Sequence, residues 1–206
     1  MSREFQLRIV GDRAWLVELP DNAGVHALAD AVRGRWDPEI EDVVPGEQTL
    51  LISWRSTAPP LAAIEERIGA LVGEPAPDQR RRKLTVPVRY DGADLEVVAL
   101  RLGIDRDRVV QLHTSPEYTV AFLGFAPGFA YLIGGSEQLA IPRRADPRPR
   151  VAAGSVAIAA HYSGVYPVSA PGGWHLLGHT DLTLFDPDRN PPALLEPGMR
   201  VSFQAL

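Results

Sequence analysis

Residues 124–180 hold most of the chain's candidate chemistry. The stretch opens with Gly124-Phe125-Ala126-Pro127-Gly128-Phe129-Ala130-Tyr131, and Pro171-Gly172-Gly173-Trp174 stands near its end. Glycine lets backbone approach a ligand closely, proline fixes backbone angles and aromatic rings supply rigid area, so such loops can build a shaped wall. Phe125 and Phe129 can flank a small planar ligand; the same segment can instead plug the end of a barrel or hold a partner. The Pro-Gly-Gly-Trp run either lines a cleft or makes a tight turn whose tryptophan enters the core.

Arg143, Arg144, Arg148 and Arg150 lie among Pro142, Pro147 and Pro149. Guanidinium groups on a stiffened backbone suit a carboxylate or a phosphate. The alternative is a solvated basic loop, or pairing with Asp or Glu across a subunit interface. Gly154-Ser155 leads into a strand, without a Gly-x-Ser-x-Gly elbow or an identifiable base. Ser155 therefore reads as a hydroxyl that bonds a loop or ligand. His175 and His179 are four apart, a spacing that shares one face of a strand, but further ligands and a His-Glu-x-x-His pattern are missing, so no metal site is expected. The sequence contains no Walker A run and no dinucleotide fingerprint.

With 206 residues the chain can form one large or two small domains, and a net charge of −5 gives no global attraction to nucleic acid. The absence of cysteine excludes disulfides, thiolate metal sites and a cysteine nucleophile. The start, Met-Ser-Arg-Glu-Phe-Gln, lacks the apolar core of a signal peptide, and no apolar run is long enough to cross a bilayer. The expected location is the cytoplasm.

The elements that must position these residues can be read from periodicity. Phe5, Leu7 and Ile9 alternate as a strand, and Gly11-Asp12 turns into a second strand, 14–19. Asn22 is a candidate helix cap before Val25, Leu28, Ala29, Val32 and Trp36. Residues 40–44 and 48–54 read as a hairpin with Pro45-Gly46 in a type II turn. A helix starting near Pro60 has Leu61, Ile64, Ile68, Leu71 and Val72 as its stripe. The first domain, 1–78, is thus predicted as a small α+β unit of order ββαββα. Residues 73–83, ending in Arg80-Arg81-Arg82-Lys83, read as a linker. The second domain, 84–206, begins with a strand over 84–90 and two short helices, the first stopped by Gly103 and the second capped by Asp105. From Tyr118 the chain is mainly β, with strands at 118–123, 155–160, 164–168, 174–177, 181–185 and 199–204, in a barrel or sandwich.

Several motifs, in one order, resemble the Kip-type inhibitor family, also described as the B component of 5-oxoprolinase or the first subunit of allophanate hydrolase. They are Gly-Phe-x-Pro-Gly-Phe-x-Tyr-Leu from Gly124, Pro-Arg-x-Arg to Arg150, Ala-Gly-Ser-Val from Ala153, Gly-Val-Tyr-Pro containing Tyr166, and Pro-Gly-Gly-Trp-x-x-x-Gly-x-Thr from Pro171. The resemblance is strongest from about residue 84 to the end. It implies a cyclophilin-like barrel as the C-terminal domain. It also implies a non-autonomous subunit of an ATP-dependent 5-oxoprolinase that opens 5-oxoproline to glutamate. The partners implied are a homologous Kip-antagonist-type barrel subunit and a third subunit, with ATP bound at the complex rather than by this chain alone. Two other branches of the resemblance imply different roles: a regulatory protein inhibiting a sensor histidine kinase, and an allophanate hydrolase or urea carboxylase type subunit carrying the carboxyltransferase domain. Because the family motif covers them, Arg148 and Arg150 are favoured over Arg143 and Arg144 as anion ligands. His179 stands where relatives are expected to carry arginine, and His161-Tyr162-Ser163 replaces a Gln-Thr-like stretch; if those positions touch substrate, specificity differs from that of the relatives.

Overall fold

In a computed structural model of the chain, residues 5–35, 37–73 and 82–206 are described, and they belong to two compact units, Met1–Arg80 and Arg81–Leu206. Trp36, most of the expected linker (74–81) and its Arg80-Arg81 lie outside the described residues.

The first unit runs β1 (Gln6–Val10), β2 (Ala14–Glu18), α1 (Asn22–Gly34), β3 (Ile40–Pro45), β4 (Thr49–Trp54) and α2 (Leu61–Leu71). Its antiparallel sheet has the order β1-β2-β4-β3. Val17, Leu50 and Ile52 from the sheet pack with Val25, Leu28, Ile64 and Ile68 from the helices. The cap of α1 is Asp21, not Asn22: its carboxylate accepts the Gly24 N–H at 2.8 Å. Asp and Asn cap comparably, but a carboxylate also complements the positive helix N-terminus. Asn22 instead donates its amide to the carbonyls of Gly46 and Glu47, at 3.1 and 3.0 Å. The hairpin connection is not a type II turn. Pro45 remains in β3 opposite Leu50, and Gly46, which lacks a positive φ, donates its N–H to the Thr49 carbonyl.

The second unit is mostly β with a nearly closed, barrel-like sheet. Its strands are β5 (Lys83–Val88), β6 (Tyr118–Leu123), β7 (Ala130–Ile133), β8 (Arg148–Val151), β9 (Ser155–Ala159), β10 (Tyr162–Val165), β11 (Ala170–Gly172), β12 (His175–His179) and β13 (Arg200–Ala205). Two helices, α3 (Leu95–Leu102) and α4 (Arg106–Thr114), follow β5. The large sheet has the order β12-β9-β10-β7-β6-β13-β5, with β13 and β5 parallel. Its two ends meet where Arg89 and His179 exchange backbone hydrogen bonds at 2.9 and 2.8 Å. β8 and β11 form a separate two-stranded ribbon. Val86, Val88, Val120, Leu132, Val156, Val201 and Phe203 fill the barrel, and α3 and α4 cover a second cluster with Ile158 and Leu177.

The strand expected at 181–185 does not form. Arg189 donates to the carbonyls of Thr183 and Leu184, both at 3.2 Å, and only an isolated bridge, Phe185 to Ala193, remains there. β7, β8 and β11 are additions to the expected strands, each too short to show alternation in the sequence. Among the described residues, no helix is long and apolar enough to cross a membrane.

Inside the barrel, fully buried His113 bridges the Tyr90 hydroxyl at Nδ1 and the Ser163 hydroxyl at Nε2, both at 2.7 Å. A neutral imidazole donates at one nitrogen and accepts at the other, so both partners are satisfied without a charge. Burial pushes the His113 pKa down from 6.5 to about 3. Between those values the unfolded chain binds the proton and the folded chain does not, so stability rises with pH. The contribution is fully present above the unfolded value and is lost as pH falls. On this basis, urea denaturation shows about 1.6 kcal/mol less stability at pH 5 than at pH 6.5 from His113 alone. His113→Gln, which cannot take up the proton, has a shallower slope over the same window; an identical slope would contradict this assignment.

Candidate functional site

The loop joining β6 to β7 is a tight structure. Gly124 donates to the Phe129 carbonyl at 3.1 Å, Ala126 to Gly124 at 2.8 Å, and Phe129 to Ala126 at 2.9 Å. This folding forces Phe125 to a φ of +69°, where a bulky side chain is strained. The Phe125 ring remains 62% exposed, whereas Phe129 is buried. Phe129 is the hub of an edge-to-face cluster, with ring centroids 5.1 Å from Tyr131, 5.3 Å from Tyr166 and 5.4 Å from Trp174. Phe125 caps it, 5.4 Å from Phe129 and 6.3 Å from Tyr166. Pro127 is exposed at the loop tip, and Gly128 lies against Phe185.

Opposite this loop stands the ribbon of β8 and β11, which brings Arg148 beside Gly172. The buried carboxylate of Asp94, at the start of α3, holds the ribbon and its approach. It accepts two bonds from Arg148 (2.8 and 2.7 Å), one from Arg144 (2.7 Å) and the Leu176 N–H (2.8 Å). Burial alone would raise the Asp94 pKa, but the Arg148 and Leu176 bonds, with the charges of Arg148 and Arg144, hold it below the ordinary carboxylate range. Arg144 N–H also donates to the Gly173 carbonyl at 2.8 Å.

Between loop and ribbon lies a cavity of about 100 Å³, walled by Phe125, Phe129, Tyr131, Arg143, Tyr166 and the Pro171-Gly172-Gly173-Trp174 run. Gly154 and Ser155 are not in its wall. They fix Tyr166 from behind: Gly154 N–H donates to the Tyr166 carbonyl at 2.8 Å, and Tyr166 N–H donates to the Ser155 carbonyl at 3.0 Å. Burial raises the Tyr166 pKa, opposed by a hydrogen bond from the Trp174 backbone and by the charges of Arg143 and Arg148.

Both favoured arginines are engaged elsewhere. Arg148 is bound to Asp94, and Arg150 Nε donates to the Ser169 hydroxyl at 3.0 Å. The arginine in the cavity wall is Arg143. His179 lies at the barrel closure, 3.1 Å from Arg89 and from Asp181. It does not share a face with His175. A bulge between Leu176 and Gly178 sets His175 opposite Ile158 and His179 opposite Ser155, which lie on opposite faces of β9. His175 is buried, with Nε2 3.0 Å from the Pro142 carbonyl oxygen. Among the described residues, no group of three or more histidines and carboxylates could hold a metal ion.

Sequence reasoning does not single out Tyr131 or Asp94. Tyr131 lies two residues beyond Phe129 in the same motif, and that spacing is the one signal that could place both rings on the same side of an extended segment. Asp94 gives no signal, since a lone aspartate before a helix reads as an ordinary cap. The assembled wall offers rings, backbone amides, two phenols and a guanidinium, with neither a carboxylate nor a histidine among the residues lining it. It can bind and orient a small, flat, anionic molecule, but general acid–base catalysis there requires groups from outside the wall.

Comparison with known proteins agrees with this architecture. The family model described as "Carboxyltransferase domain, subdomain C and D" matches residues 5–195. The chain is similar to the B component of 5-oxoprolinase from Escherichia coli O157:H7, 46% identical over 81% of this chain and 78% of that protein. It is also similar to the B component of 5-oxoprolinase from Bacillus subtilis (strain 168), 36% identical over 98% of this chain and 93% of the relative. Among solved structures, TTHA0988 superposes with a TM-score of 0.80 at 36% identity, covering 98% of this chain. This chain spans 40% of that protein's length.

A Cβ added at Gly172 would run into the Tyr166 hydroxyl, with the ring carbon bearing it 2.8 Å away. Gly172→Ala is therefore expected to cost about 1–3 kcal/mol by overpacking. Tyr166→Phe in the same chain recovers part of that loss, because the hydroxyl is the nearest obstacle. Thermal unfolding of the two single variants and the double variant checks this, and strictly additive losses would contradict the contact.

Proposed function

The chain belongs to the carboxyltransferase domain, subdomain C and D, family, and from that premise we propose that it is a subunit of an ATP-dependent 5-oxoprolinase. It works with a homologous Kip-antagonist-type barrel subunit and a third subunit, in the cytoplasm. The observation that carries this reading is its 46% identity, over most of its length, to a protein named as a 5-oxoprolinase subunit.

The chemistry of the cavity is consistent with a subunit that does not act alone. Opening a five-membered lactam requires activation of its carbonyl and a proton for the departing nitrogen. ATP, bound at the complex, would supply the activation by phosphorylating the lactam oxygen, which makes the ring carbon electrophilic toward water while the nitrogen remains the departing group. The cavity wall of this chain holds and orients the ring. Its guanidinium is suited to an anionic group carried by the ring. The groups that activate water and protonate nitrogen come from the partner subunits.

Co-expression of the three subunits, followed by an assay for glutamate from L-5-oxoproline, tests the reading. The expected result is ATP-dependent glutamate release that disappears when this chain is omitted. An assembled complex that releases no glutamate, or one that works equally well without this chain, would overturn it.

A further inference from the structure

We propose that Arg143 is the carboxylate anchor of the aromatic cavity, and that the cavity selects small cyclic carboxylates over the same rings without the acid group. The inference takes only the identity of the ring from the 5-oxoprolinase reading; the anchor itself is argued from the cavity.

Three of the four arginines in the 142–150 segment are already engaged. Arg144 and Arg148 are both spent on Asp94, and Arg150 is bonded to Ser169. Among the described residues, Arg143 has no hydrogen bond or ion pair, yet it lines the cavity. Its charge reaches the interior, since it contributes to lowering the Tyr166 pKa against the effect of burial.

The residues on either side of Arg143 are fixed. The Pro142 carbonyl oxygen lies 3.0 Å from His175 Nε2, and Arg144 is tied by its backbone to Gly173 (2.8 Å) and by its side chain to Asp94 (2.7 Å). The guanidinium is thus carried on a backbone tied on both sides, so less backbone freedom is lost when it closes on an anion. The side chain is exposed at the cavity mouth, where a carboxylate can reach it while the attached ring enters the aromatic wall.

About 100 Å³ is far below the volume that takes a nucleotide, and suits a single small ring. No carboxylate lines the cavity to neutralise Arg143. A flat ring with one acid group satisfies the edges and faces of Phe129, Tyr166 and Trp174 together with the guanidinium.

Calorimetric titration of the full chain with L-5-oxoproline and with 2-pyrrolidone, the same lactam without the carboxyl group, provides the test. A charge-assisted hydrogen bond lost from a site corresponds to about tenfold to a hundredfold in affinity. The wild-type chain is expected to prefer L-5-oxoproline by at least about tenfold, and Arg143→Gln to abolish that preference. Arg143→Lys restores part of it, and Arg150→Gln changes affinity by less than about twofold. Because Arg143 makes no internal bond, the Arg143→Gln chain unfolds at the wild-type temperature. Absence of binding by the wild-type chain, or a preference that survives Arg143→Gln, overturns the proposal. In the three-subunit complex, the KM for L-5-oxoproline rises with Arg143→Gln more than kcat falls. Turnover with an unchanged KM would reject the anchor and leave the 5-oxoprolinase reading standing. A complex inactive on 5-oxoproline, with acid-selective binding through Arg143 intact, would reject that reading and leave the anchor.

Discussion

A single buried carboxylate ties together the segments that wall the aromatic cavity. Asp94 is 1% exposed, and its two oxygens are shared by Arg144, Arg148 and the Leu176 amide. A lone carboxylate in that position would be expelled or protonated, and its partners together keep it charged. The three partners come from the approach to the ribbon, from β8 and from β12. The carboxylate therefore fixes the distance between the α3 N-terminus, the arginine segment and the Pro-Gly-Gly-Trp run. The cavity wall formed by Arg143 and Gly173 exists in its observed place because its neighbours are tied to Asp94.

The other wall is set by backbone rather than by charge. The strained Phe125 and the tight hydrogen bonding of residues 124–129 present one ring to the cavity mouth and bury the next. Gly172 allows the Tyr166 hydroxyl to lie where any side chain would block it, and Gly154 and Ser155 hold the Tyr166 backbone from both sides. Aromatic rings in edge-to-face contact lose little entropy on binding, because they are already locked by one another. The result is a closely packed slot whose lining residues include neither a carboxylate nor a histidine. The buried Tyr90–His113–Ser163 chain does not supply an acid or base. Its histidine is sealed in the barrel and neutral, a strut rather than a catalyst.

Local signals in the sequence are readable because their physics is local. Asp105 caps α4 through the Arg108 N–H, and Gly103 ends α3 with a φ of +67°, each as the residue type alone suggests. The aromatic and glycine runs are recognisable as a wall, and the structure brings Phe125, Phe129, Tyr166, Gly172 and Trp174 into one cavity. What the sequence hides depends on distant partners. Arg148 is separated from Asp94 by 54 residues, so its engagement there leaves no local trace, and Arg143 looks no better than its neighbours. The bulge in β12 separates His175 from His179, and its one local signal is Gly178 in the strand interior. His179 reads as a site residue and is part of the seam that closes the barrel, since β5 and β12 are far apart in sequence.

Hydrogen–deuterium exchange on the Asp94→Asn chain tests the central claim most directly, because it reads each segment separately. If the carboxylate positions the site, amides in residues 142–150 and 170–176 exchange at least about tenfold faster than in the wild-type chain, while those of β6, β7 and β13 keep their protection. Unchanged exchange in the arginine segment and the Pro-Gly-Gly-Trp run, with the barrel intact, would contradict the account.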